Sequence, residues 1–473
     1  MTTRPQKSQA DRPLTGRAAA FYALDAALRG QRFVSETLAE LRAHGGLETR
    51  QAGLAAEIAL GAVRHAITIE HVLARVADFD RRRVAPELRA ILYAAAYQLI
   101  WMDRVPEFAA VDEAVKLARR QMGGRAPAMV NAVLRRLSRA IRQRRTAWQR
   151  LDPRQIRVSW DQACAFDLDV LPAPHERAPE AHLAAATGER LTRYRTLVRR
   201  LGHEQAEQSA WASQAVPVTV LHRHRLRIGP GAFQTRTRAT FGALAEWTPD
   251  AVFLPAAVNV VDTPLFREGY AYIQDMTSRA AALLLDVRRG QSVLDLCAAP
   301  GGKSVVLAQE MGDRGEVLAC DASPDRLLRV RDNIRRLRLT CVRTHLIQTS
   351  DASDADLRRT FDAAIVDVPC TNTGVIARRP EARLGLTTRK LASLVALQRA
   401  LLGRAAACVR PGGRLVYSTC SLEPEENEQL VAAFLSENPA WELLLTRCTL
   451  PAWGPRLSDW RDGGFAALLV RRK

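Results

Sequence analysis

Two cysteines, each closing an apolar run and opening a polar loop, carry the first hint of chemistry. Cys370 stands in "IVDVPCTNTG" and Cys420 in "LVYSTCSLEPEEN". A cysteine in a core is an inert small hydrophobe, whereas a nucleophilic one needs thiolate character and a polar setting. One reaction uses such a pair. Carbon 5 of cytosine is a poor nucleophile, but a thiolate added at carbon 6 makes an enamine that can take a methyl group from a sulfonium donor. A base then removes the carbon 5 proton and the thiolate leaves, so one hard step becomes several easier ones. The charge of such an adduct calls for an acid near N3. Asp367, three residues before Cys370, is placed for that.

A second constellation is "DLCAAPGGKS", residues 295–304. Pro300 bends the chain there, and Gly301 and Gly302 let backbone approach a ligand closely. The spacing matches neither the dinucleotide fingerprint nor the P-loop. A glycine pair after a strand is by itself equally a tight structural turn. Asp321, at the end of the next apolar run, strengthens the functional reading, because an acid there can hold the ribose hydroxyls of a nucleoside. Asp351, after the following strand-like stretch, could reach an adenine edge, or it is a solvated loop acid.

The elements that must position these residues follow from periodicity. From about residue 270, "SVLDL", "EVLAC", "FDAAIVDV", "RLVYSTC" and "GFAALLV" read as strands separated by helices. The helix "SPDRLLRVRDNIRRL" starts with Ser323 as N-cap and Pro324 at its first position. This alternation implies an α/β Rossmann-like domain with a mostly parallel sheet. Ligands of such sheets bind beyond the carboxyl ends of the strands. Cys297, Asp321, Cys370 and Cys420 all fall at those ends, so one shared cleft is expected. Glu425 and Glu426 suit the acidic start of the helix after Cys420.

The chain upstream is multidomain in texture. Residues 1–14 read as a disordered tail and 15–145 as an all-α domain. Its last helix, over 127–145, puts Val130, Val133, Leu134, Leu137 and Ile141 on one side. Arg135, Arg136, Arg139 and Arg142 lie on or beside the other, as a solvated face or, with "RQRRTAWQR", a phosphate-facing stripe. Residues 146–265 read as a linker and a small α+β, RNA-contacting region. Within it "VPVTVLHRHRLRIG" resembles a strand with alternating basic residues, His222 and His224 being solvated or RNA-facing.

Lys+Arg 69 against Asp+Glu 50 over 473 residues gives a net charge of +19. That excess attracts polyanions through phosphate neutralisation, although a genome rich in arginine codons has the same effect on composition. No run approaches 18 apolar residues, so no membrane span is expected. The N-terminus has no apolar signal region, and the eight cysteines show no metal-like spacing. A cytoplasmic protein without a metal or an obligate protein partner, and monomeric, is the expectation.

"DLCAAPGGKS", "DVPCTNTG" and "YSTCSLEPEEN" together resemble the RNA cytosine-5 methyltransferases of the NOL1/NOP2/Sun group, which use S-adenosylmethionine. The resemblance continues through "YIQDMTSRAAALLL" and "DGGFAALLV" and covers about residues 265–473. "AEIALGAVRH", "AAYQLIWM", "FAAVDEAVKLAR" and "MVNAVLRRL" resemble a NusB-like RNA-binding domain. That pairing is similar to the 16S rRNA methyltransferase B (Sun) family. The resemblance implies a class I methyltransferase domain over 266–473, with 16S rRNA or an early small-subunit assembly intermediate as partner. It implies Cys420 as nucleophile and Cys370 as the residue assisting release. The cofactor would lie against Cys297, Ala298, Ala299, Pro300, Gly301, Gly302 and Lys303, with Asp321, Asp351 and Asp367; Lys303 only completes the motif. A tRNA substrate, a catalytically silent ribosome assembly factor, and a DNA methyltransferase with Cys370 as nucleophile are the competing readings. Two departures stand out: Pro369–Gly374 reads Pro-Cys-Thr-Asn-Thr-Gly where the family has Pro-Cys-Ser-Gly/Ala-Thr-Gly. Glu381 and Leu384 replace a usual Asp and Trp.

Overall fold

The computed structural model describes residues 14–44, 47–175, 178–347, 357 and 360–473. The tail expected at 1–14 lies outside the described residues except for Leu14, and so does Asp351. The chain divides into two compact units, Met1–Ala215 with Arg379–Gly385, and Val216–Arg378 with Leu386–Lys473.

The first unit opens with helices α1 (Gly16–Leu28), α2 (Val34–Ala43), α3 (Thr49–Arg64), α4 (Ala66–Ala77), α5 (Pro86–Trp101), α6 (Glu107–Gln121) and α7 (Ala126–Ala140). Thr15 caps α1 by accepting the Ala18 N–H. Small residues set how closely the helices pack. Ala19, Ala20 and Ala23 of α1 are fully buried. A Cβ at Gly61 of α3 would lie 2.1 Å from the Tyr97 ring of α5, so only glycine permits that approach.

The helix expected over 127–145 stops at Ala140. Ile141 instead opens β1 (Ile141–Ala147), antiparallel to β3 (Gln162–Phe166), which pairs with β2 (Gln155–Arg157). The end of α5 shows what holds this stretch. Met102 is extended there, so the last carbonyls of the helix need other donors. Arg144 donates to the carbonyls of Gln98 and Met102 at 3.3 and 2.6 Å, and Arg145 to those of Ile100 and Trp101, both at 3.0 Å. Cations are favoured at a helix C-terminus. These two guanidinium groups are thus committed to the fold and not to a phosphate-facing stripe, whereas Arg135, Arg136, Arg139 and Arg142 are exposed.

Helices α8 (Glu180–Ala186) and α9 (Leu191–Ala212) complete the stretch before Ala215. The segment Arg379–Gly385 folds with them because Arg383, 4% exposed, pairs with buried Glu189 at 3.4 Å and donates to the Arg64 carbonyl at 2.7 Å.

The second unit begins with β4 (Thr219–Arg223), α10 (Pro230–Phe241), β5 (Glu246–Trp247), β6 (Ala251–Leu254), α11 (Pro264–Arg267) and β7 (Ala271–Ile273). The four strands form an antiparallel sheet in the order β5-β6-β4-β7. The stretch 146–265 is therefore shared between the units. Its Pro/Ala-rich part buries Val170, Leu171, Leu183 and Ala184, which pack as core does. His222 and His224 are not solvated: His222, in the central strand β4, is 2% exposed, and His224, just beyond the strand, is 1% exposed. Burial pushes both rings down to about 4, and His222 Nε2 lies 3.1 Å from the Gln274 carbonyl.

There follow α12 (Met276–Leu283), β8 (Ser292–Asp295), α13 (Gly302–Glu310), β9 (Glu316–Asp321), α14 (Pro324–Leu337), β10 (Val342–Leu346) and β11 (Phe361–Asp367). Beyond them come β12 (Val409–Thr419), β13 (Trp441–Thr449) and β14 (Gly464–Arg471). The seven strands run β10-β9-β8-β11-β12-β14-β13; the first five are parallel, and β14 is antiparallel to both its neighbours, β12 and β13. Side chains alternate between two cores, Val293 on one face and Leu294 on the other. The strand order reverses between β8 and β11, which opens a crevice at their carboxyl ends. β13 had no counterpart in the sequence reading; most of its residues are exposed at the sheet edge.

Candidate active site

β8 delivers Asp295 and then the glycine loop to the crevice. The loop turns through a cis Ala299–Pro300 bond, and Gly301 has φ of +103°, which suits glycine. α13 starts at Gly302 without a side-chain cap, so its first N–H groups lack a side-chain acceptor. Asp321 closes β9: one carboxylate oxygen accepts the Ala299 N–H at 3.3 Å, the other the Ser323 N–H at 2.9 Å. Asp295 is fully buried. Its Oδ2 accepts from Ser304 Oγ at 2.6 Å and its Oδ1 has no hydrogen-bond partner among the described residues. Burial pushes this carboxyl up to about 6, and burial likewise raises the Cys297 thiol.

The parallel neighbours β11 and β12 deliver the two thiols. Their register puts Asp367 beside Ser418, whose hydroxyl donates to Asp367 Oδ1 at 2.7 Å. Cys370 lies three residues beyond one strand end and Cys420 one beyond the other, with the two sulfurs 2.9 Å apart. Cys370 is buried; its thiol is pushed well up, first by the hydrogen bond with Cys420 and then by burial. Cys420 is half-buried and lines a pocket with Lys303, Asp367, Ser278, Thr277 and Asp462. Its thiol also donates to Asn372 Oδ1 at 3.2 Å. Three backbone segments meet behind it. Gly374 N–H donates to the Cys420 carbonyl at 2.9 Å, Gly463 N–H donates to the Gly374 carbonyl at 2.8 Å, and a Cβ at Gly374 would lie 2.7 Å from Gly463.

Glu426 does not act as an acidic helix start. It ends a short 3-10 turn, Pro424–Glu426, and is 0% exposed. Its carboxylate accepts from the Thr371 N–H at 2.9 Å, from Gln398 Nε2 at 2.8 Å, and from the hydroxyls of Thr371 and Ser421. Thr371 follows Cys370 and Ser421 follows Cys420, so one buried carboxylate ties both cysteine loops together. A buried charge is tolerable only when so satisfied. Glu426→Ala strands four donors and should destabilise the second unit by about 3 kcal/mol. The misaligned thiols should lower kcat by about tenfold or more, since small displacements at a reacting centre are costly. Thermal unfolding and methyl-transfer assays on one preparation measure both, and an unchanged kcat would show that the loops hold without it.

Lys303 does more than complete a motif. Its ammonium pairs with Asp367 Oδ2 at 2.6 Å and donates to Ser278 Oγ at 3.0 Å, a donor and an acceptor side by side on the pocket wall. Opposite, Asp462 accepts from Arg378 Nε at 2.5 Å and from Trp460 Nε1 at 3.2 Å. Burial, then the charge of Asp275, pushes Asp462 up to about 6. The sequence reading assigns no role to Arg378 or Asp462, places Lys303 in the cofactor loop only as part of its motif, and gives Glu426 only a place at an acidic helix start. The one available signal was their place inside or beside the quoted motifs. Of the expected site residues, 297–303, Asp321, Asp367, Cys370 and Cys420 gather at the carboxyl ends of β8, β9, β11 and β12.

A family model described as 16S rRNA methyltransferase RsmB/F matches residues 282–453, and the NusB family model matches residues 15–139. The ribosomal RNA small subunit methyltransferase B of Pseudomonas putida is 30% identical over 426 residues, 89% of this chain and 89% of its own length. Among solved structures, a methyltransferase homolog protein from Pyrococcus horikoshii is 27% identical, with a TM-score of 0.51 over 61% of this chain and 97% of that one. The solved structure of PH0851, 22% identical, shares the fold over 97% of this chain and 99% of its own at a TM-score of 0.72. With two successive domain matches and a relative that spans nearly its whole length, the chain belongs to the ribosomal RNA small subunit methyltransferase B family.

Proposed function

We propose that the protein methylates carbon 5 of a cytosine in 16S rRNA, with Cys420 as the nucleophile and Cys370 assisting release. The observation that carries this reading is the pair of sulfurs 2.9 Å apart, only one of which, Cys420, lines the pocket beside Lys303 and Asp367. Cys370 is 7% exposed and lies behind it, which disfavours the DNA-type arrangement in which it would attack. Addition of Cys420 to carbon 6 leaves negative charge on the ring near N3. The Lys303 ammonium, held by Asp367, supplies the compensating positive charge, and Asp367 offers an acceptor for the exocyclic amine. Electrostatic partners of this kind are effective because they are already oriented.

The residues at the strand ends fit S-adenosylmethionine. Asp321 is the acid at the second strand end suited to ribose hydroxyls. The side-chain-free N-terminus of α13 suits a carboxylate, and the partnerless Oδ1 of Asp295 suits an ammonium group. When bound, that cofactor supplies an electrophilic methyl on a sulfonium sulfur. Asp351 is proposed for the adenine edge on the family resemblance alone. The helical unit, with its NusB match and its exposed Arg135, Arg136, Arg139 and Arg142, is proposed to hold the RNA backbone.

Bisulfite sequencing of rRNA and tRNA from cells with and without the gene tests the assignment. One protected cytosine in 16S rRNA should lose its protection when the gene is removed. Loss at a tRNA position would move the substrate. Unchanged protection throughout would overturn cytosine methylation.

A further inference from the structure

Asn372 stands where the family motif has glycine or alanine, and the fold shows what the added side chain does. The residue has φ of +62°, a left-handed conformation that costs asparagine less than most residues. Its amide Nδ2 donates to the Cys370 carbonyl at 2.9 Å, which fixes the orientation of the carboxamide. The oxygen is then turned to the nucleophile and accepts the Cys420 thiol proton at 3.2 Å. The reverse orientation would face Oδ1 to a carbonyl oxygen. That contact with Cys420 exists only while the sulfur carries its proton.

We propose that Asn372 is a resting-state latch on the nucleophile, holding Cys420 as a thiol until substrate enters, a device particular to this chain's Pro-Cys-Thr-Asn-Thr-Gly loop. The inference rests on Cys420 being the nucleophile. The carboxamide favours thiol over thiolate and so protects an accessible sulfur from stray electrophiles. The other groups that bear on the Cys420 proton are Cys370 from the loop after β11, Asp367 at the end of that strand, Lys303 from α13, Asp275 from before α12, Arg447 from β13 and Asp462 from the turn before β14. Glu426 adds its charge from behind Ser421. Substitution at 372 leaves all of these side chains in place; besides the acceptor for Cys420 it removes only the amide bond to the Cys370 carbonyl.

The test is the rate of Cys420 alkylation by iodoacetamide, followed by peptide mass spectrometry across pH in the full chain. Asn372→Gly removes the acceptor and is at ease at positive φ, so the fold is retained. It should raise the rate about two- to fivefold at neutral pH, the equivalent of a weak hydrogen bond, and leave the rate at high pH, where Cys420 is fully ionised, unchanged. Asn372→Asp keeps the acceptor, adds a negative charge and should slow alkylation at neutral pH. A higher rate for Asn372→Gly at every pH would mean steric shielding and overturn the latch, as would no change, or an Asn372→Asp variant faster than the parent. These readouts involve no methyl transfer. Failure of the nucleophile assignment is read separately, as retained activity in Cys420→Ala.

Discussion

Cys420→Ala is expected to abolish methyl transfer, lowering kcat on the order of 10⁴-fold or more, as loss of a covalent nucleophile does elsewhere. The fold should tolerate the change. Alanine keeps the backbone bond in which Gly374 N–H reaches the residue 420 carbonyl, and removes a half-buried thiol whose side-chain partners are Cys370 and Asn372. The stability cost of such a deletion is about 1 kcal/mol. Cofactor affinity should hold, because Asp321, Asp295 and the first turn of α13 take no support from the sulfur. The comparison that decides is methyl transfer to small-subunit RNA against cofactor binding by calorimetry on one preparation. Loss of transfer with binding intact supports the assignment. Full activity in the variant would remove Cys420 from the chemistry and leave the pocket wall without a nucleophile.

How much of this site the sequence discloses depends on whether a residue's role is local. Strand ends are local. "SVLDLC", "EVLACD" and "LVYSTC" each pass from apolar to polar within two residues, and Cys297, Asp321 and Cys420 fall where expected. The Ser323 cap is local too, since its hydroxyl accepts the Arg326 N–H three residues on. Glu426 is the opposite case. An acid after Pro-Glu reads as solvent-facing, and its partners Thr371 and Gln398 lie 55 and 28 residues away. Lys303 pairs with an acid that only the β8–β11 pairing brings near. The basic residues around His222 and His224 suggest a wet strand, whereas His222 sits in a strand with a neighbour on either side and His224, just beyond its end, is buried too. The end of α7 is not legible locally, because helical propensity continues through "RAIRQRR". The carbonyls at the end of α5, about 45 residues earlier in the chain, recruit Arg144 and Arg145. Periodicity reports which face of an element is apolar; it carries no record of which distant polar group completes a buried charge.

Cys370→Ala should make a different defect: a covalent protein–RNA adduct that accumulates and runs as a slow band on a denaturing gel. On the proposed mechanism, formation of the adduct uses Cys420, Lys303 and Asp367 on the pocket wall, all of which the variant keeps. On the same proposed mechanism, Cys420 departs as a thiolate, and the group placed to stabilise it is the Cys370 thiol, 2.9 Å away. The high affinity of Cys370 for its proton, raised by its hydrogen bond with Cys420 and by burial, keeps it a donor while the other sulfur ionises. A hydrogen bond to a charged group contributes about 1.5–3 kcal/mol. Its loss should slow release by about ten- to a hundredfold while adduct formation changes little. The band should vanish in the double variant Cys370→Ala/Cys420→Ala, which separates the adduct from adventitious crosslinks. Normal turnover without a band would take the release role from Cys370. A band in Cys420→Ala instead would reverse the two assignments and make Cys370 the attacking thiol.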